Sequence, residues 1–150
     1  MKKHMLALGL VATVGLNSQL QADEGLEDIH VYKSPTCGCC SDWIDHLEDN
    51  GFNVKATDTN DMGKIKADAG LIAGLGSCHT AFVGDYVIEG HVPADDIKRL
   101  LSEAPKATGL SVPGMPMGSP GMEMGDRKDA YKVILFNEAG QTRIFAEYNQ

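Results

Sequence analysis

The 150-residue sequence is short of basic charge, of cysteine and of long apolar runs, and each shortage closes off a class of function. Lysine and arginine number 13 against 21 acidic residues, a formal net charge of -8. Nucleic acid and anionic membrane both require a basic face, so neither is expected as the main partner. Four cysteines are too few for a disulfide-dense miniprotein. The longest apolar stretch runs from Met5 to Leu16, short of the ~20 residues that span a bilayer, and no second one follows. There is no phosphate loop, no G-x-S-x-G and no zinc-protease motif. The length suits one ordinary domain and is tight for two.

What remains is a globular balance, 43% hydrophobic and 23% charged. Residues 1–22 read as a secretory leader: Lys2 and Lys3, then the apolar stretch, then a polar tail with cleavage after Ala22. Leu20 is the weak point of that cleavage site. The lysine-rich start suits a bacterial periplasmic protein, whose thiols must pair, bind metal or be recycled.

Past the leader, the periodicity predicts an order β-α-β-α-β-β-α. Ile29 to Tyr32 is a β-branched strand candidate, and Trp43, Ile44 and Leu47 recur at helical spacing between Ser41 and Asn50. Phe52 to Ala56 alternates as a strand. A helix through Met62, Ile65, Ala69 and Ile72 is expected to start at Asn60. Thr80–Val83 and Tyr86–Glu89 form a hairpin about Gly84-Asp85. Pro93 opens a last helix that Pro105 ends. This order places the cysteines where a thioredoxin-like domain carries its active site. That domain is expected over 23–105 and a C-terminal extension over 106–150. Gly109 to Gly125 is a Gly/Pro-rich arm with a tandem period of seven, Pro113-Gly114-Met115-Pro116-Met117-Gly118 and Pro120-Gly121-Met122-Glu123-Met124-Gly125. A closing hairpin, Tyr131–Phe136 with Thr142–Tyr148, is expected to pack back and hold the arm near the domain.

The chemistry sits in Cys37-Gly38-Cys39-Cys40. Cys37 and Cys40 have the C-x-x-C spacing of dithiol oxidoreductases, and Cys39 is an extra thiol inside it. At a helix N-terminus the free N–H groups and the dipole favour thiolate, which is both the nucleophile of disulfide exchange and a soft copper(I) ligand. Position alone does not separate those roles, nor from a plain Cys37–Cys40 staple. Successive helical residues point about 100° apart, so Cys39 and Cys40 suit bridging among several ions better than one closed site, although zinc stays open. Cys78-His79 precedes the third strand, where thioredoxin-like domains typically place a cis-proline facing the cysteines, so Cys78 and His79 are expected across from Cys37. Cys78 could equally be a buried small hydrophobe and His79 a hydrogen-bond donor. Four methionines within ten residues of the arm tip the balance, because thioether sulfur favours copper(I) and has no place in dithiol exchange. The alternative is that they grease a loop. Met115 and Met122 are expected to face inward, Met117 and Met124 outward. His46 is expected to be solvated, His91 to cap a helix or lie on the surface, and Trp43 to pack in the core or wall the site; His30 has no evident role.

Together, Cys37-Gly38-Cys39-Cys40 with Ser41-Asp42-Trp43, Ser77-Cys78-His79-Thr80, Glu89-Gly90-His91-Val92-Pro93 and Pro113-Gly114-Met115 through Gly118-Ser119-Pro120-Gly121-Met122-Glu123 resemble the CopG-type periplasmic copper-resistance family. The resemblance covers roughly the whole mature chain. It implies a thioredoxin-like fold, an extension that contributes to metal binding, and a cysteine-bridged copper cluster beside the CxCC motif. It also implies interconversion of copper(I) and copper(II), with copper passed toward an efflux system or a periplasmic copper chaperone. Carried over, Cys37, Cys39, Cys40 and Cys78 match the cysteine motifs and Met115 and Met122 the extension, while Met117 and Met124 look less fixed. The expected site is therefore Cys37 and Cys40 as the catalytic pair, with Cys37, Cys39, Cys40, Cys78, Met115, Met122 and His79 on copper. A monomer is expected, without stable membrane insertion. Two rivals stay open: a passive copper carrier or scavenger, and a thiol–disulfide oxidoreductase acting on protein.

Overall fold

The computed structural model describes residues 26–150; the leader and its cleavage after Ala22 lie outside the described residues. The elements run β1 (Ile29–Lys33), α1 (Gly38–Asp49), β2 (Val54–Asp58), α2 (Met62–Asp68), β3 (Thr80–Val83), β4 (Tyr86–Glu89), α3 (Ala94–Glu103), β5 (Gly109–Ser111), β6 (Tyr131–Phe136) and β7 (Thr142–Tyr148). They form a seven-stranded sheet of order β2-β1-β3-β4-β5-β6-β7. β1 pairs parallel with β2 and antiparallel with β3; β4 pairs antiparallel with β3 and parallel with β5. The expected β-α-β-α-β-β-α order and its thioredoxin-like arrangement hold, and the closing hairpin extends the same sheet through β5.

Alternation along the strands sorts the side chains onto two faces. Val31, Ala81, Val83, Ile88 and Leu135 meet Trp43 and Leu47 of α1 and Ile97 and Leu100 of α3 on one face. Their neighbours Phe82, Val87, Ile134 and Phe136 pack with Ala69 and Leu75, around the end of α2, on the other.

Three local expectations are corrected. The cysteines do not merely precede α1: Cys37 is its N-cap, and Gly38, Cys39 and Cys40 are its first turn. Asp61, not Asn60, caps α2, its carboxylate accepting from Lys64 N at 3.2 Å. The arm begins later than Gly109, because 109–111 form a buried strand, β5, between β4 and β6. A Cβ on Gly109 would fall on the Val87 carbonyl oxygen, so only glycine lets β5 lie against β4 there.

The register brings the chemistry to one end of the sheet. Tyr32 pairs with Thr80, Thr80 with Glu89, and Glu89 with Ser111. The segments beyond those residues carry Cys37, Cys78-His79, His91 and the arm. The carboxyl ends of β1, β4 and β5 thus share one edge, where α/β sheets commonly bind their ligands.

Candidate metal centre

Cys37 and Cys40 are joined by a disulfide across the first turn of α1, with Cα atoms 5.4 Å apart. Cys40 is buried; Cys37, Cys39 and Cys78 are half-buried. The Cys39 sulfur lies 3.6 Å from that of Cys37. The sulfurs of Cys37, Cys39, Cys40 and Cys78 all lie within 4.8 Å of one another. The four sulfurs form one cluster because Cys37 stands at the cap, outside the helical rotation, and Cys78 meets the group from across the pocket.

Cys78 is also the hinge to a second group. Its sulfur is 3.2 Å from His79 Nδ1 and 3.1 Å from His91 Nε2. Both rings are fully buried. His91 Nδ1 lies 2.8 Å from the Pro120 carbonyl and must donate to it, which leaves Nε2 with a lone pair directed at the sulfur. A ring nitrogen held by a carbonyl while the other faces a thiol is the usual outer arrangement of a metal-binding histidine. His79 Nε2 is buried without a hydrogen-bond partner, an orphan whose retention fits a ring kept for its other nitrogen. Trp43 packs in the core. It is fully buried, its indole N–H donates to Val92 O at 2.9 Å, and its ring lies tilted against His79 with the centroids 4.3 Å apart.

Burial sets the local electrostatics. It pushes the Cys78 thiol up to about 11, helped by Cys39 beside it. It also holds both imidazoles below the ordinary histidine range, His79 well below, with His91 and Lys66 adding to the effect on His79. The copper-free pocket therefore prefers neutral thiol and neutral rings, and a soft cation that replaces the thiol proton would restore balance.

The loop carrying Cys78 is held from below. Glu89 is fully buried and accepts from Lys66 Nζ at 2.5 Å, Ser77 N at 2.6 Å and Thr80 Oγ1 at 2.7 Å. The arm is tied to both halves of the site. Ser77 Oγ donates to Gly114 O at 2.5 Å and Gly114 N to Gly76 O at 3.0 Å, beside Cys78. Gly121 lies so close over α1 that an added Cβ would stand 2.7 Å from Trp43 N and 2.8 Å from Cys39 O. Met115 and Met122 each follow one of these anchoring glycines in sequence.

Met122 is half-buried and Met124 is 65% exposed, as the inward and outward division expects. The first copy reverses it: Met115 is 53% exposed and Met117 half-buried, because Met117 is drawn in by hydrogen bonds with Asp129. His91 is corrected from cap or surface to a buried neighbour of Cys78. The cap belongs to His46, expected in solvent, whose Nε2 instead accepts from Ala94 N at 3.1 Å at the start of α3. His30 lies apart from the site, 2.8 Å from Thr57 Oγ1. No helix among the described residues is long and apolar enough to cross a membrane.

A family model described as a protein of unknown function, DUF411, matches residues 75–122, the stretch from below Cys78 to Met122. No curated protein matches the chain. Two solved structures, forms 1 and 2 of a copper resistance protein CopG, are each 48% identical to it. In both, the match covers 83% of this chain and 99% of the other, with a TM-score of 0.79. An identity of that size over nearly all of the relative, on the fold and cysteine arrangement described above, establishes kinship: the chain belongs to the CopG copper resistance protein family.

Proposed function

We propose that the chain is a periplasmic copper-resistance protein, exported by the leader over residues 1–22, that holds several copper ions through shared cysteine sulfurs and interconverts copper(I) and copper(II). The observation that carries this reading is the convergence of four cysteine sulfurs within 4.8 Å, linked through Cys78 to two buried imidazoles. Thiolates bridge soft ions because each sulfur has several lone pairs, so a few cysteines neutralise several copper(I) charges. Cys37, Cys39, Cys40 and Cys78 supply the bridges once the Cys37–Cys40 disulfide is reduced. Met115, Met122 and His79 close outer positions, and His91 joins them on the strength of its free Nε2.

The Cys37–Cys40 pair supplies the redox step. Two thiolates that close to a disulfide release two electrons, enough to reduce two copper(II) ions to copper(I); reopening the bond by an external dithiol resets the pair. Copper in the reduced state then leaves toward an efflux system or a periplasmic chaperone. A passive carrier would share the ligands and lack the turnover, which an anaerobic copper(II)-reduction assay on purified protein separates.

The cluster itself is tested by metal analysis and X-ray absorption of reduced protein loaded anaerobically with copper(I). The expected result is a copper-to-protein ratio above one, with short copper–copper scattering and a sulfur-dominated shell. Saturation at one ion without that scattering rejects the bridged cluster in favour of a mononuclear carrier.

A further inference from the structure

Among the described residues, Cys39 and Cys78 are the free cysteines, both half-buried, and they come from opposite walls of the pocket. Their sulfurs belong to the set in which every pair lies within 4.8 Å. Rotation about the side-chain torsions can close such a gap to the roughly 2.05 Å of a disulfide bond. The turn bearing Cys39 is held under Gly121, and the loop bearing Cys78 is held by Ser77 on Glu89 and Gly114.

We propose that Cys39 and Cys78 form a second disulfide when the copper-free protein meets a disulfide oxidant, so that the site closes on two bonds, Cys37–Cys40 and Cys39–Cys78. The step is ordinary exchange. Cys39 attacks one sulfur of R–S–S–R and expels the first thiol; Cys78 then attacks the Cys39 sulfur of the mixed disulfide and expels the second. Two electrons pass to the oxidant, and the two thiol protons leave on the two molecules of RSH. The order follows from access. The Cys78 sulfur is flanked by imidazole nitrogens at 3.2 and 3.1 Å, so Cys39 meets the oxidant and Cys78 resolves the adduct. His91 Nε2 accepts the Cys78 proton as that attack proceeds. The consequence for copper rests on the proposed function: with both pairs bonded no thiolate remains, so oxidation empties the site and keeps it shut until a dithiol reopens it.

The experiment uses oxidised glutathione on metal-free protein, followed by alkylation, intact mass and peptide mapping. Wild type should lose all alkylatable thiols, and the peptide bearing Cys78 should be found joined to the one bearing Cys37 to Cys40. Since those three cysteines share a peptide, C37S/C40S fixes the pairing: its two remaining thiols should close an intramolecular bond while the protein stays monomeric on a non-reducing gel. Two alkylated thiols, or persistent glutathione adducts, in wild-type protein overturn the proposal, as does a variant that links only between chains. A parallel arm treats wild-type protein pre-loaded with copper(I), whose thiols should resist the oxidant. A bond that forms in the metal-free protein and forms just as fast with copper present refutes the copper reading while leaving the disulfide intact.

Discussion

Glu89 is fully buried, and three donors hold its carboxylate there. Lys66, from α2 on the far side of the sheet, is the cationic one, and its side chain keeps some exposure. Removing one partner of a buried ion pair leaves the other uncompensated, at a cost of about 3 kcal/mol toward the exposed end of the usual range. For a chain of this size that is roughly 6–12 °C in Tm. Lys66→Met is therefore expected to lower the melting temperature, read by circular dichroism, by about that much, and Lys66→Arg by far less. A change under about 2 °C in Lys66→Met would mean that Ser77 N and Thr80 Oγ1 suffice to hold the carboxylate. The pairing was not legible in the sequence, because 23 positions separate its members and Lys66 sits in no motif. His91 was legible and was missed. The Gly84-Asp85 turn fixes the hairpin register, Thr80 opposite Glu89, and two steps further along it set Cys78 opposite His91. Counting across the turn would have found the imidazole that composition and spacing alone read as a cap.

The arm shows how an element with little apolar bulk can still be ordered. It departs after β5 and returns at β6, adjacent strands, so both ends are fixed before any side chain acts. Ser119 and Pro120 are buried, and a close turn links Gly118 N to Met122 O at 2.8 Å. The sequence displayed the methionines, the repeat and the closing hairpin. It hid β5, since three residues beginning with glycine offer no alternation to read. Met115→Ala with Met122→Ala is expected to weaken copper(I) binding by roughly ten- to a hundredfold, the scale on which even outer partners of metal ligands count. The reduction potential of the Cys37–Cys40 pair in metal-free protein should stay put, because thioethers take no part in thiol exchange. Competition with a copper(I) chelator reads the first quantity and glutathione equilibration the second. Unchanged affinity in the double variant would remove the arm as a source of ligands.

At the scale of the whole molecule, the four histidines of the described residues are held below their ordinary range, and burial is the leading cause at each: His30, His46, His79 and His91. The unfolded chain protonates them near 6.5. Between that value and the lower folded values the unfolded state binds more protons, so stability falls as pH falls. The slope is about 1.4 kcal/mol per pH unit for each proton taken up only on unfolding. His79 gives the longest stretch of that slope, since it is the most depressed. On the alkaline side the sign reverses. Cys78, pushed up to about 11, keeps its proton in the fold after an unfolded thiol has ionised near pH 9, so stability drops again above that pH. Copper-free protein with the Cys37–Cys40 disulfide intact should therefore show a plateau of urea midpoints from about pH 6.5 to 9, falling steeply on the acid side. Copper(I) bound at Cys78, His79 and His91 would compete with protons at those atoms, so loading should deepen the acid slope as bound metal is lost. Midpoints that stay level from pH 7 to pH 5 without copper would show that the imidazoles accept charge inside the fold, and would remove the physical basis for reading His79 and His91 as neutral, available nitrogen ligands.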